Sequence, residues 1–157
     1  MPKGKYVIKN PSISIDGTDL TKRISSLTIE TTDDEVDLSS FGSGYKETGK
    51  GLADASMGFT VFHDFAESQV HATLWPLKNN DEKFIVIVKP EAGEASAENP
   101  AFMMAGELFG YNPFGGAVGE ASQTEPSIKN ASDLGLLVAE KKEDEETYKT
   151  ELEAAIA

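Results

Sequence analysis

The sequence predicts a mainly β fold: a β-sandwich or open barrel of about seven to nine strands with one flanking α-helix. Three observations lead there. Apolar and polar residues alternate with period two in several separate segments, the pattern of half-buried strands. One short stretch, Asp64–Leu77, carries a helical stripe instead. Two strands, Glu35–Phe41 and Ser56–Phe62, are joined by a glycine-rich connection of 14 residues, Gly42–Ala55. Hairpin loops usually take roughly 2–5 residues, and long loops in small domains tend to be functional.

Near the start, Tyr6-Val7-Ile8 and Ser12-Ile13-Ser14-Ile15 are strand-like runs split by Asn10-Pro11, and Asp16-Gly17 is a turn signal. Between Leu20 and Thr32 the alternation is cleaner. Leu27, Ile29 and Thr31 point one way, and Ser26, Thr28, Glu30 and Thr32 the other. At Asp33-Asp34 the phase slips, and Val36 and Leu38 become the apolar set. A bulge or turn explains this, because one extra residue exchanges the two faces.

The segment Gly42-Ser43-Gly44-Tyr45-Lys46-Glu47-Thr48-Gly49-Lys50-Gly51 follows. Glycine contributes backbone freedom and no core, so the segment is expected to reach away from its own domain. Such a protein works by touching copies of itself or a partner.

Met57, Phe59 and Val61 then alternate with Ser56, Gly58, Thr60 and Phe62. Asp64 stands three residues before Glu67, a capping-box-like start. Ala66, Val70, Leu74 and Leu77 form one apolar stripe. Pro76 is expected to end or kink the helix, and Trp75 to anchor its end in the core. Phe84–Val88 is apolar on both faces and fits a central strand covered on both sides.

Residues Pro90–Pro100 read as a surface connection and Ala101–Tyr111 as a strand. Asn112-Pro113-Phe114-Gly115-Gly116 is a turn, and Ala117–Ile128 a last long strand with alternating small polar residues. Glu140–Glu153 is acidic with scattered Tyr148, Leu152 and Ile156, an exposed helix or a disordered tail. The expected division is one β domain over residues 1–139, carrying the extended loop 42–55, and an acidic segment 140–157.

Composition narrows the function classes. The chain has 157 residues and a net charge of −13, with −9 in residues 1–139 and −4 in 140–157. No Lys/Arg cluster resembles a nucleic-acid footprint, so tight DNA binding is disfavoured. A surface that sits near DNA without adhering is not. Neither a transmembrane run of about 18 apolar residues nor the apolar core of a secretory signal is present. The chain lacks cysteine, which excludes disulfides and thiolate metal sites. Asn130-Ala131-Ser132 matches a glycosylation sequon that, without export, is a chance match.

Catalytic patterns are missing. A zinc site needs about three or four convergent ligands, and His63 and His71 are the only histidines. The expected roles are a strand-end residue for His63 and a surface ion pair with Glu67 for His71. Asp33-Asp34-Glu35 and Asp37 lack the glycine turn of a calcium loop and continue a β pattern, so they fit a solvated strand face. No nucleophile elbow, phosphate loop or dinucleotide fingerprint appears, so neither an enzyme nor a cofactor is expected.

Several segments in consistent order, from about Ile13 to Ile128, resemble the major tail tube protein of long flexible-tailed bacteriophages, especially phages of actinobacteria. They are Asp16-Gly17-Thr18-Asp19-Leu20, Val36-Asp37-Leu38-Ser39-Ser40-Phe41-Gly42-Ser43 and Phe62-His63-Asp64-Phe65. Ala72-Thr73-Leu74-Trp75-Pro76-Leu77, Asn99-Pro100-Ala101-Phe102 and Tyr111-Asn112-Pro113-Phe114-Gly115-Gly116-Ala117-Val118-Gly119-Glu120 complete the set. The resemblance implies a structural virion protein of the tail, present in the host cytoplasm during assembly. It implies hexameric rings stacked into a tube, with inward strands closing a continuous barrel. The implied partners are copies of itself, tape measure, tail terminator and distal tail proteins, and DNA in transient passage; no membrane is implied.

On that resemblance, Gly42, Ser43, Gly44, Tyr45, Lys46, Glu47, Thr48, Gly49, Lys50 and Gly51 are the expected inter-ring loop. Thr28, Glu30 and Thr32 are expected to face the lumen, as are Glu120, Ser122 and Thr124 of the last strand. Two other readings stay open: a tube subunit of a contractile tail or secretion system, and a monomeric β-sandwich module binding carbohydrate or protein.

Overall fold

The computed structural model describes residues 11–42, 44–67, 69–80 and 82–156. The Tyr6-Val7-Ile8 run and Ser43 lie outside them. Among the described residues, nine strands form one antiparallel sheet.

Strands β1 (Ser12–Ile15) and β2 (Thr18–Asp19) are joined by Asp16-Gly17, both at positive φ (52° and 80°). This is the tight turn that the Asp-Gly pair predicts. A single 3-10 turn, Thr21–Arg23, leads into β3 (Ile24–Asp37), which pairs along its length with β4 (Thr48–Phe62). Helix α1 (Val70–Asn79) is followed by β5 (Lys83–Lys89) and β6 (Ala101–Gly110). Short strands β7 (Gln123–Thr124), β8 (Ser127–Asn130) and β9 (Leu137–Ala139) precede helix α2 (Lys142–Ile156). The strand order is β2-β1-β5-β6-β8-β4-β3, with β7 on β4 and β9 on β6.

The architecture is an open half-barrel rather than a sandwich of two sheets. Ile13 and Ile15 of β1 join the same apolar cluster as Met57 and Phe59 of β4, four columns away in the sheet. Only a curled sheet brings them together. Val70, Leu74 and Leu77 of α1 close the concave side.

On β5, Phe84, Val86 and Val88 face this core, while Ile85 and Ile87 face a second cluster on the convex side. That two-sided burial is what the uninterrupted apolar run predicts.

Helix α2 covers the second cluster. Leu152 is fully buried among Met103, Ala105 and Ala139, with Tyr148 and Ile156 packed beside it. The acidic C-terminal segment is thus a docked helix, not a tail. Glu143, Asp144 and Glu145 occupy its first turn, where carboxylates complement the helix dipole. Lys89 of β5 pairs with Glu145 at 3.4 Å.

Three expected elements differ. The α1 helix starts at Val70, after the Asp64/Glu67 pair, and no side chain caps it. Asp64 instead folds the preceding loop: its carboxylate accepts from the Ala66 N–H and its carbonyl from the His71 N–H, both at 3.0 Å. The helix also continues through Pro76 to Asn79. Its buried stripe extends past the proline to Leu77, and that burial outweighs the hydrogen bond the proline forfeits. Finally, Ala117–Ile128 is not one long strand. Residues 117–122 are irregular, and β7 and β8 are separated by Glu125-Pro126. Proline cannot donate to a sheet ladder, which accounts for the break.

Candidate functional site

The β3–β4 hairpin has two halves with different chemistry. In the half nearer the core, Leu27 pairs with Phe59 and Ile29 with Met57 on the concave side. Ser26 pairs with Thr60, Thr28 with Gly58 and Glu30 with Ser56 on the convex side. Strand β8 extends this polar strip, since Ser127 lies beside Gly58 and Lys129 beside Ser56. Period-two alternation produces the separation directly. Thr28, Glu30 and Thr32 are all exposed. Beyond the strip, Lys129 sits over the Phe109 ring, 5.5 Å from its centre.

In the other half the hairpin leaves the domain. Residues 31–42 and 50–54 are exposed throughout. The ladder shifts register between Asp33 and Glu35, at the position where the sequence pattern slips phase. Past the shift, Glu35 pairs with Lys50, Val36 with Gly49 and Asp37 with Thr48. The predicted loop Gly42–Ala55 is therefore mostly strand, because Thr48–Ala55 belong to β4. The connection proper is 38–47.

The glycines of this arm have a packing role. A Cβ on Gly49 would lie 2.7 Å from Leu38 Cδ1, and one on Gly51 3.0 Å from Val36 Cγ2. Their absence lets the facing apolar side chains lie flat over β4. The turn is held by local bonds: the Leu38 N–H donates to the Glu47 carbonyl (2.9 Å) and the Glu47 N–H to Ser39 Oγ (2.7 Å). Ser39 N–H donates to the Asp37 carboxylate, which holds that carboxyl below its ordinary range. Gly42, at φ 89°, reverses the chain. The arm presents Val36, Leu38, Phe41, Tyr45 and Leu52 to solvent.

Two properties of this region escape a reading of single residues. The first is that β3 is the last strand of the sheet, so its outer edge carries 14 residues with no strand partner among the described residues. The opposite edge, β2, has only two. The second lies at the far end of β4. His63 Nε2 lies 2.8 Å from the Asn112 carbonyl, and its other ring nitrogen meets Ser122 Oγ. Phe65 stacks on His63 at 6.0 Å and tilts against His71 at 5.1 Å, and His71 stacks on Trp75 at 6.0 Å. Tyr111 Oη lies 3.2 Å from His71 Nδ1, and burial pushes the Tyr111 phenol up.

His71 is thus part of an aromatic platform, not an ion pair with Glu67, which lies outside the helix. Trp75 is 40% exposed on that platform rather than a core anchor. His71 and Trp75 are four residues apart on one helix face, a spacing that marks the stack in the sequence.

The second set of expected lumen residues is dispersed. Glu120 sits in a turn, its N–H donating to the Ala117 carbonyl. Ser122 is tied to His63 and to the Gly115 carbonyl. Thr124 is buried and its hydroxyl accepts the Asn112 N–H. No common strand face carries them, because the strand that would align them is broken.

Solved structures share this architecture, among them the following three. The chain aligns with a subunit of the tail of an empty gene transfer agent particle solved with C6 symmetry, at TM-score 0.59 and 17% identity over 73% of this chain and 81% of that one. It aligns with a chain of the native gene transfer agent virion at TM-score 0.66 and 16% identity, over 86% and 98%. The SPP1 tail tube gives TM-score 0.66 and 10% identity, over 84% and 77%. No protein-family model and no curated protein sequence matches the chain. The curled antiparallel half-barrel of this chain is thus the fold shared by the SPP1 tail tube subunit and by these chains of the gene transfer agent particle.

Proposed function

We propose that the chain is the major tail tube subunit of a long flexible-tailed bacteriophage. Six copies form a ring, rings stack into a tube, and the genome passes through it. The observation that carries this reading is the β3–β4 hairpin: a polar, exposed face at its base, a free edge along β3, and an arm that buries nothing in its own domain. The shared fold of the SPP1 tail tube and the gene transfer agent tail supports it.

A long unpaired edge is a hazard in a monomer and an asset in a ring, where neighbouring sheets close it. On this reading Thr28 and Glu30 line the lumen, and Thr32 stands where the arm departs. Carboxylates there repel DNA phosphates across a narrow channel, so the genome slides. The net charge of −13 opposes association before assembly starts. The residues 42–51 form the inter-ring contact as the tip and upper strand of the arm. The subunit performs no chemistry, and its further partners are the tape measure, terminator and distal tail proteins that bound such a tube.

Sedimentation velocity of the purified protein over a wide concentration range, with and without tail tips as template, tests this. Rings and long polymers are the expected species. A monomer under every condition overturns the assignment.

A further inference from the structure

His63 follows the last residue of β4 and touches both ends of the segment 112–122, which connects β6 to β7. Its Nε2 lies 2.8 Å from the Asn112 carbonyl and its Nδ1 2.5 Å from Ser122 Oγ. Ser122 Oγ lies in turn 2.5 Å from the Gly115 carbonyl. Each contact at such a distance needs one proton between its two heavy atoms. A carbonyl only accepts, and a hydroxyl has one hydrogen to give. The Ser122 hydrogen therefore goes to Gly115, and the Ser122 oxygen must accept from Nδ1. The Asn112 carbonyl must likewise accept from Nε2. A neutral imidazole carries one ring proton, so it leaves one of these two contacts as a pair of facing lone pairs.

We propose that His63 is a proton-dependent clamp on the segment 112–122. The imidazolium donates from both nitrogens and holds Asn112 and Ser122 together, and the neutral ring lets go of the Asn112 carbonyl. That bond is the one given up because it is exposed, where water replaces it, whereas the contact with Ser122 is partly buried. Two bonds persist in both states: the His63 N–H to the Ser122 carbonyl (2.9 Å) and the Asn112 N–H to the Thr124 hydroxyl (3.2 Å). The segment therefore loosens without detaching. Between its anchors it carries Phe114 and Val118, both strongly exposed, so the clamp sets how firmly that apolar surface is held. The clamp is independent of the tube assignment.

Hydrogen bonds, not a neighbouring charge, select the imidazolium. Among the described residues no carboxylate forms an ion pair with His63. Asp64, next in the chain, gives its carboxylate to the Ala66 N–H and to Arg23. Tyr111 meets the ring edge-on at 6.4 Å, and Phe65, stacked on His63, also packs against His71. Glu120 is the only charged residue in 112–122, and it is exposed. Contacts made by the protonated ring stabilise the fold in full below the ordinary histidine value of about 6.5. That contribution is lost as pH rises beyond it.

Nitrogen-15 NMR of the labelled full chain reads the ring directly, and His63→Gln identifies which of the two histidines gives each signal. At pH 7 both His63 nitrogens are expected to be protonated. Ser122→Ala removes the hydroxyl that demands the Nδ1 proton, and the doubly protonated fraction is expected to fall at least about twofold. Denaturant titrations then compare wild type with His63→Gln at about pH 5.5 and about pH 8.5. The advantage of wild type in folding constant is expected to be about tenfold larger at the lower pH, from the bond kept there. If His63→Gln does not fold, His71→Gln makes the assignment and Ser122→Ala the comparison. An unprotonated His63 nitrogen at pH 7 overturns the clamp. So does a wild-type advantage of equal size at both pH values.

Discussion

Glu30 lies directly across from Ser56 on the convex face of the hairpin, one residue along from the Ile29–Met57 pair that closes the core. Adjacent rungs of one ladder thus divide between a dry side and a wet side. Charge can be changed on the wet side without touching the packing beneath it. A Glu30→Lys variant is expected to fold and assemble normally but to slow DNA delivery on the order of tenfold, as the reversed charge attracts phosphate. Single-particle ejection assays measure this, and unchanged delivery places Glu30 outside the lumen.

The arm is separable from the core, since its distal half is exposed on all sides. Replacing 39–46 by a two-residue Asn-Gly turn keeps the register of the flanking strands. The variant is expected to melt within a few degrees of wild type and to remain unable to elongate. Calorimetry and electron microscopy read the two properties separately. Normal tubes from this variant remove the inter-ring role of the arm.

Helix α2 contributes to stability through one residue above the others. Leu152 is fully buried against the convex cluster. Leu152→Ala is expected to cost about 2–4 kcal/mol, the range for emptying a packed leucine site. Denaturant titration gives the value. A loss under about 0.5 kcal/mol, typical of surface positions, contradicts the docked helix.

Acid should loosen the base of the sheet. The hydroxyl and N–H of Thr21 hold the Asp19 carboxyl below its ordinary value, and the Ala66 N–H and Arg23 do the same for Asp64. A carboxyl whose folded pKa is depressed adds stability above its unfolded pKa. That contribution is lost as pH falls through the folded value. Both therefore stabilise the fold above about pH 4 and lose that contribution progressively as pH falls below it towards their lower folded values. Asp19→Asn and Asp64→Asn variants are expected to be less stable than wild type at pH 7, with the gap closing towards pH 2. Thermal melts across that range check the sign.

Much of the fold is legible in the sequence because local pattern and tertiary role coincide. The Asp16-Gly17 turn, the alternation of Leu27 to Thr32 and the two-sided burial of Phe84–Val88 each follow from period and turn chemistry alone. The shift at Asp33–Glu35 is visible as a change of phase. The arm is less legible: its glycines suggest a loose loop, whereas Gly49 and Gly51 serve a cross-strand contact with Leu38 and Val36. Such contacts depend on which residues face one another, and that is not a local property.

The same reason hides the site of Thr124. A small polar residue in an alternating run reads as a wet strand face, but here Thr124 is buried and the N–H of Asn112 claims its hydroxyl. Tyr148, Leu152 and Ile156 are spaced for one helix face, yet the surface they cover comes from β5, β6 and β9. Charge dominates the sequence of that segment, and packing decides its place.

Cryo-electron microscopy of the concentrated protein tests the central claim most directly. Hollow tubes of stacked rings are expected, with the Thr28–Glu30 face on the inner wall and each arm reaching the adjacent ring. Solid filaments, tubes with Glu30 on the outer wall, or a population that stays monomeric with a template present would contradict it.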